Sequence, residues 1–368
     1  MTLCPGDRLY WSTRHGPAVA YRGRPEGWSE FILQVMRDRR VTDLVCLGDG
    51  RRAHAEAIAA ARAATPQVRV HVLEQGYLRP NLLTLEPDGT GGRSRVPEEF
   101  RRLGEIDLPL PDAPPSFRSS FLEYAAFDTL YHLSNVLTSW MLYPHYRSHA
   151  LDPPLREWAG WIGKLLRRPA RVRGREEALA KVRAHEGPLF LLPLQLPTDY
   201  QIRDHGPAGG LRDALHTVIG SFEAHAPMDA HLLIKVHPLD NGWTPWRRWV
   251  EEATVTDRAT YLDGGDVDVL LGRSAGVVTV NSTVGLTALE RGVPVHVLGT
   301  AIYAHDGTTD PQPLDSFWSA PTPPDRARVR RFTAFLRHTV QFPGSFDGEG
   351  AEPGADNLAR AILAPPPF

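Results

Sequence analysis

The segment TVNSTVGLTALERGVPVHVLG, residues 279–299, restricts the fold of this chain more than any other segment. An apolar run ends in three small polar residues, a helical pattern begins at Thr283, and a second apolar run follows Arg291 and Gly292. Two strands joined by such a helix lie parallel in one sheet, because the crossover carries the chain back to the edge where it started. The segment therefore predicts a parallel sheet covered by helices.

The same alternation of short apolar runs and helical patterns extends through the second half of the chain. It predicts strands at 187–197, 230–238, near Tyr261, at 276–282 and at 293–299, and helices at 210–226, 244–254, 266–272, from Thr283 and at 324–341. In open parallel sheets of this kind, ligands bind outside the carboxyl ends of the strands.

The first half of the chain has a second α/β pattern, in which residues 42–50 and 68–76 predict two strands around an alanine-rich helix. Residues 116–184 have apolar residues at helical spacing and predict a helical connector, with contact to a membrane or a partner left open. A length of 368 residues suggests two domains. We predict an α/β, GT-B-like fold: two Rossmann-like domains facing a cleft. The domains are an N-terminal one with the connector (1–185), a C-terminal one (186–323) and terminal helices packing back across both (324–368).

The composition favours a cytoplasmic globular protein. A net charge of -2 gives no strong attraction to nucleic acid, and two cysteines, Cys4 and Cys46, do not make a disulfide framework. No apolar run approaches the roughly 20 residues that span a bilayer. Residues 1–16 lack a basic region followed by an apolar core, so we expect no signal peptide.

Familiar catalytic motifs are missing from the sequence. It contains no GxGxxG, Walker loop, HExxH or GxSxG, which counts against dinucleotide oxidoreductases, P-loop NTPases, zincins and serine hydrolases. We interpret the acidic pair Asp266 and Asp268 as helical surface and predict no metal site.

Three polar clusters follow predicted strands of the second block. Because the strands are parallel, their carboxyl ends lie at one edge, where we expect a site. The clusters are Gln195, Asp199 and Gln201; Lys235, His237 and Pro238; and Asn281, Ser282, Thr283 and Gly285.

The cluster at residues 281–285 has two interpretations. The hydroxyls of Ser282 and Thr283 are suited to cap the helix that they open. The same helix end offers free N–H groups and a positive dipole to a phosphate, and Gly285 would allow a ligand to approach the backbone closely.

Asp199 follows a buried strand and is our best catalytic candidate, as a nucleophile or a general base. The alternative is a turn residue whose carboxylate bonds its own backbone.

Polar side chains also follow the strands of the first block, and we predict an acceptor side there. Tyr77 and Arg79 offer an aromatic face and a planar donor to a sugar or a carboxylate. The alternative is an ion pair of Arg79 with Glu74 that holds the loop. The candidate residues are Asp49, His54, Glu74, Tyr77 and Arg79.

These segments together resemble the capsule polysaccharide biosynthesis family of Gram-negative bacteria. The segments are CLGDGRRAHAEA, LEQGYLRPNLLTLE, YPHYRSH, PLQLPTDYQI, IKVHP, NSTVGLTALERGVPVHVLGTAIY and GTTD, in this order over about residues 6–310. They are similar to the retaining β-Kdo transferases that build the linker joining a capsule to its phospholipid, and the length resembles the single-module members.

The resemblance implies a GT-B architecture whose C-terminal domain binds CMP. It implies that His237-Pro238 and Ser282-Thr283 hold CMP and that Asp199 is catalytic, with Gln195 and Gln201 beside it. It also implies a CMP-sugar donor, a lipid or oligosaccharide acceptor, no cofactor or metal, no nucleic acid, and contact with the inner-membrane surface or other capsule assembly proteins. Two alternatives stay open: transfer of another CMP-activated ulosonic or sialic acid, and a catalytically silent scaffold.

Overall fold

A computed structural model describes residues 1–10, 17–64, 66–106 and 108–365 of the chain. Residues 11–16, part of the N-terminal stretch for which the sequence predicts no signal peptide, lie outside the described residues. The strands are β1 (Asp43–Leu47), β2 (Arg69–Gln75), β3 (Leu82–Pro87), β4 (Leu189–Pro193), β5 (His231–Lys235), β6 (Ala259–Leu262), β7 (Ser274–Thr279), β8 (Val295–Val297) and β9 (Gln341–Pro343).

Helices surround and connect these strands. They are α1 (Pro5–Tyr10), α2 (Trp28–Asp38), α3 (Arg52–Ala63), α4 (Val96–Leu103), α5 (Phe121–Leu142), α6 (Pro154–Leu166), α7 (Arg168–Ala184), α8 (Tyr200–His205), α9 (Gly210–His225), α10 (Trp246–Ala253), α11 (Val267–Leu271), α12 (Thr283–Glu290), α13 (Leu314–Phe317), α14 (Arg326–Thr339) and α15 (Ala351–Leu363). Within the described residues, no helix combines the length and the hydropathy needed to cross a membrane.

The chain forms two compact units. Unit 1 comprises Met1–Arg95, Asp112–Pro154 and Arg337–Phe368, and unit 2 comprises Val96–Pro111 and Leu155–Leu336. The units divide at Pro154 and not at the predicted residue 185, because α6 and α7 pack within unit 2. The last helices also divide differently from the predicted segment 324–368: α14 begins in unit 2, and α15 belongs to unit 1.

Unit 2 contains the parallel sheet that the sequence predicts. Its five strands have the order β6-β5-β4-β7-β8, and every neighbouring pair is parallel. All residues of β4 and β5 are buried, as expected for central strands covered on both faces. The predicted α/β class is thereby confirmed.

The sheet of unit 1 is mixed, with the order β1-β2-β3-β9. β1, α3 and β2 form the predicted parallel βαβ unit, but β3 is antiparallel to β2 and β9 is antiparallel to β3. The connection from β2 to β3 is too short for a parallel crossover, which accounts for the reversal. Unit 1 is therefore Rossmann-like only in its first half.

Aromatic rings fill the core of unit 2 behind its sheet. Phe190 of β4, Phe222 of α9 and Trp318 are almost fully buried. The ring of Trp318 meets those of Phe190 and Phe222 edge-on, at centroid distances of 5.1 and 5.2 Å. Burial of three large rings stabilises this unit by several kcal/mol, roughly 1.5–3 kcal/mol for each side chain, and holds the strand ends in fixed positions.

Candidate functional site

The carboxyl edge of the unit 2 sheet brings together two of the predicted polar clusters. Gln195, after β4, donates from Nε2 to Oδ1 of Asn281 at 2.8 Å, and its Oε1 accepts from the Asn281 backbone N–H at 3.2 Å. Asn281 Nδ2 donates to the Gln201 carbonyl at 3.2 Å. Because these amides bond one another, they fix the loops after β4 and β7, and they hold the start of α12 beside the start of α8.

The start of α12 has the capping geometry that the sequence allows. Ser282 is the N-cap residue, and its Oγ accepts from the Val284 N–H at 3.2 Å. Its backbone N–H donates to Thr279 Oγ1 at 3.3 Å. The Thr283 hydroxyl makes no hydrogen bond with any residue that the structure describes, and it is half-buried. The cap therefore accounts for Ser282 and leaves the hydroxyl of Thr283 available to a ligand.

Gly285 is required by a neighbouring side chain. A Cβ built at this position would lie 2.3 Å from Oη of Tyr303, whose hydroxyl donates to the Ser282 carbonyl at 2.6 Å. From the sequence we expect the glycine to admit a ligand, but in the structure the buried Tyr303 fills that space. Gly285 thus shapes the site indirectly, by letting Tyr303 brace the turn before α12.

Replacing Gly285 with alanine is expected to destabilise unit 2 by about 1–3 kcal/mol, because overpacking forces Tyr303 or the helix to move. The measurement is urea unfolding of both proteins. Tyr303→Phe removes the atom closest to the new methyl group, so the double variant should recover part of the loss. A Gly285→Ala protein as stable as wild type would contradict the packing role.

Lys235 and His237 lie at the end of β5. Lys235 is its last residue, and its side chain is only 5% exposed. Burial lowers the pKa of its ammonium, while Asp263 and Asp266 act in the opposite direction. His237 Nδ1 accepts from the Leu239 N–H at 3.1 Å, so the neutral ring carries its proton on Nε2. His237 can therefore donate a hydrogen bond to an anion, and the exposed Pro238 follows it.

Asp199 is the N-cap residue of α8. Its Oδ1 accepts from the Gln201 N–H at 2.9 Å, and the side chain is half-buried. This is the turn geometry predicted as the alternative to a catalytic role, in which the carboxylate bonds its own backbone.

In unit 1, Asp49 follows β1 and is only 4% exposed. Gly48 before it has a φ of 70°, a left-handed turn that glycine adopts without strain. Asp49 Oδ2 accepts from the Thr90 N–H at 3.3 Å, and its Oδ1 lies 3.4 Å from Nη1 of Arg93. His54 is bonded through Nδ1 to the Gly48 carbonyl at 2.9 Å, and burial lowers the pKa of its imidazole.

The structure places Tyr77 inside unit 1 and not at a sugar-binding surface. Tyr77 Oη donates to Glu86 Oε1 at 2.5 Å and accepts from the Gly91 N–H at 2.8 Å. Arg79 Nε donates to the Gly76 carbonyl at 3.1 Å, which braces the loop between β2 and β3. Glu74 lies within β2, opposite Thr84 of β3. Because the ring of Tyr77 is only 9% exposed, we assign it a positioning role.

Glu86 is a further candidate residue, which was not predicted from the sequence. It lies in β3, is fully buried, and accepts from Tyr77 Oη and from Ser94 Oγ. Burial raises the pKa of its carboxyl to about 7, with Asp49 adding to the rise and the two hydroxyl donors opposing it. The signal in the sequence is the single acidic residue of the strand LLTLEP.

The acidic pair Asp266 and Asp268 has structural contacts. Asp266 is the N-cap residue of α11 and accepts from the Asp268 N–H at 2.8 Å, while Asp268 lies 2.8 Å from Nη2 of Arg291. In the part of the chain that the structure describes, no three His, Cys, Asp or Glu side chains are grouped as metal ligands.

Comparison with known proteins gives consistent matches over most of the chain. The family model described as "Capsule polysaccharide biosynthesis protein" matches residues 42–346. The capsule polysaccharide modification protein LipB of Neisseria meningitidis serogroup A is 30% identical over 93% of this chain and 83% of its own. The capsule polysaccharide export protein KpsS of Escherichia coli is 30% identical over 90% of this chain and 85% of its own.

Among solved structures, the β-Kdo 2,7 transferase of Thermosulfurimonas dismutans KpsC aligns with 95% of this chain and 94% of that chain. The TM-score is 0.44 and the sequence identity is 16%.

Proposed function

The chain belongs to the capsule polysaccharide biosynthesis protein family, and from this premise we propose that it is a retaining glycosyltransferase. The proposed reaction moves Kdo from CMP-Kdo to a lipid-linked acceptor in the linker of a capsular polysaccharide. The observation that carries the proposal is the polar edge of the unit 2 sheet. There, a histidine donor and the open start of a helix lie at the ends of β5 and β7, on either side of β4.

The donor nucleotide is proposed to bind at this edge. The start of α12 offers the backbone N–H of Thr283 and the positive end of a helix dipole, which favour a phosphate. The Thr283 hydroxyl and Nε2 of His237 supply further donors. CMP is a good leaving group once its phosphate is held by such donors, so the proposal includes no metal or cofactor.

In the proposed mechanism, two successive displacements at the anomeric carbon retain its configuration. In the first, a carboxylate oxygen attacks the anomeric carbon of Kdo, the bond from that carbon to the phosphate oxygen breaks, and CMP leaves. In the second, the acceptor hydroxyl attacks the same carbon, its proton passes to a base, and the carboxylate is released. Asp199 is the proposed nucleophile, and the carboxyl-edge residues of unit 1, including Asp49 and Arg79, are proposed to serve the acceptor.

The test is a direct assay of the purified protein with CMP-Kdo and a phosphatidylglycerol-type or Kdo-primed acceptor. Release of CMP together with a product heavier by one Kdo residue supports the proposal. The absence of both with every such acceptor would leave the scaffold alternative. Competition between CMP-Kdo and a CMP-sialic acid, measured by calorimetry, distinguishes the two donor classes.

Replacing Ser282 and Thr283 together with alanine should weaken CMP binding by at least tenfold. A hydrogen bond to a charged group is worth about 1.5–3 kcal/mol, whereas a lost helix cap costs only about 1 kcal/mol of stability. Calorimetry gives the CMP affinity, and thermal unfolding gives the stability.

Two single variants separate capping from binding. Ser282→Asp keeps a good N-cap but brings a negative charge to the phosphate, so it should stay stable and lose CMP affinity. Thr283→Val removes the hydroxyl with little change of shape. If CMP affinity is unchanged in both while only the double alanine variant loses stability, residues 282 and 283 serve the helix alone.

A further inference from the structure

The two faces of α6 have opposite environments. Gly160 and Lys164 are buried, and they face the loop after β5: a Cβ at Gly160 would lie 2.5 Å from the Asn241 carbonyl, and Lys164 Nζ donates to the Asp240 carbonyl. The other face carries four apolar side chains that are 58–77% exposed, namely Leu155, Ile162, Leu165 and Leu166. Helical spacing places these four on one side of the helix, within about 100° of arc.

A cavity of about 260 Å³ adjoins this apolar face, between α6 and the first turns of α7. Leu165 lines the cavity, so the apolar face and the cavity share a rim. The charged side chains that line it are Lys164, Arg168, Arg171, Arg175 and Asp263. Four basic side chains and one carboxylate therefore line the cavity.

The cationic charge of the cavity is only partly compensated. Arg171 forms two hydrogen bonds with the carboxylate of Asp263, at 2.6 and 2.9 Å. Arg168 and Arg175 form no ion pair with any carboxylate among the described residues. Burial, reinforced by the charge of Arg171, lowers the pKa of Lys164. A bound anion would therefore relieve repulsion among charges that the fold itself holds together.

We propose that the apolar face of α6 and the adjoining cavity bind the surface of a bilayer that contains anionic phospholipid. The lipid phosphate enters the cavity and is bound by the guanidinium groups of Arg168 and Arg175, which suit phosphate oxygens. Leu165 and Leu166 enter the boundary between headgroups and acyl chains, as do apolar side chains of interfacial helices. A phosphate free in solution would leave the exposed leucines without a partner, which is why the occupant is a lipid.

The experiment measures co-sedimentation of the whole chain with vesicles of phosphatidylcholine containing 0 or about 30% phosphatidylglycerol. Binding is expected only with phosphatidylglycerol and should weaken as salt is added, because the attraction is electrostatic. Equal binding to both vesicle types would overturn the proposal. So would calorimetric binding of inorganic phosphate or CMP to the cavity without any binding to vesicles.

Matched variants test the named residues. Arg168→Glu with Arg175→Glu should weaken vesicle binding at least tenfold, since each basic residue near an anionic surface contributes roughly fivefold. Arg173→Glu with Arg183→Glu makes the same change of charge on exposed positions of α7 outside the cavity, and it should lower binding far less. Equal losses from the two pairs would show that only net charge matters and would overturn the site.

A second pair of variants tests the apolar face. Leu165→Gln with Leu166→Gln should also weaken vesicle binding about tenfold. Val255→Gln, at a still more exposed position before β6, should not weaken vesicle binding. Thermal unfolding confirms that each variant is folded, and these assays need no sugar donor, so their outcome is independent of the proposed transferase activity.

Discussion

Replacing Asp199 with alanine is expected to abolish Kdo transfer while leaving the affinity for CMP nearly unchanged. In the proposed reaction the carboxylate attacks the anomeric carbon of the sugar and does not contact the nucleotide, so its loss would remove the covalent intermediate without removing a phosphate contact. A covalent Kdo adduct of the wild-type chain should appear by intact mass with CMP-Kdo and no acceptor, and it should be missing from the variant.

The N-cap position of Asp199 calls for a control that alanine does not supply. Asparagine caps a helix as well as aspartate does, but it has no carboxylate to attack a sugar. Asp199→Asn should therefore keep the stability of α8 and be as inactive as Asp199→Ala. A variant that keeps more than a tenth of wild-type turnover has lost less than about 1.4 kcal/mol of transition-state stabilisation. That result in either variant would mean that Asp199 acts as a cap and that another residue is the nucleophile.

Asp49 is the carboxylate to test next in that event. It follows a strand of unit 1, is nearly fully buried, and has the Thr90 N–H and Arg93 as partners. Asp49→Asn preserves the shape of the side chain and removes its charge. Loss of the Kdo adduct in Asp49→Asn, with the adduct retained in Asp199→Asn, would assign the covalent step to unit 1.

The elements of unit 2 follow from the sequence because each has a strong local pattern. Helix 210–226 is observed as Gly210–His225, and the strand predicted at 276–282 as Ser274–Thr279. The elements of unit 1 have weaker local patterns, and the strands β3 and β9 were not predicted. β9 has only three residues and pairs with β3 across more than 250 positions, which no local pattern can reveal.

The candidate site shows a similar division between local and distant causes. The cap at Ser282 and the turn at Asp199 were among the alternatives predicted from the sequence, because each side chain bonds a backbone N–H two residues away. The role of Gly285 was not, because Tyr303 comes from a separate segment. The burial of Tyr77 was missed for the same reason, since its partner Glu86 lies on the next strand.

Glu86 itself gives the protein an expected dependence of stability on pH. An ordinary glutamate has a pKa of 4.5, whereas burial raises the pKa of Glu86 to about 7 in the folded chain. Below pH 4.5 the carboxyl is neutral in both the folded and the unfolded chain, so its burial does not lower the free energy of unfolding through ionisation. As the pH rises from 4.5 to 7, the unfolded chain releases this proton first, so the free energy of unfolding falls by about 3 kcal/mol.

Replacing Glu86 with glutamine should remove this loss, because an amide of the same shape can accept from Tyr77 and does not ionise. The free energy of unfolding of Glu86→Gln, relative to that of wild type, should rise by about 3 kcal/mol between pH 4.5 and pH 8. Urea unfolding at both pH values measures it. Glu352→Gln, at an exposed position of α15 in the same unit, is the matched control and should follow the wild-type profile. A Glu86→Gln protein with the wild-type pH profile would mean that the buried carboxyl is already ionised throughout this range and that Tyr77 and Ser94 stabilise its charge.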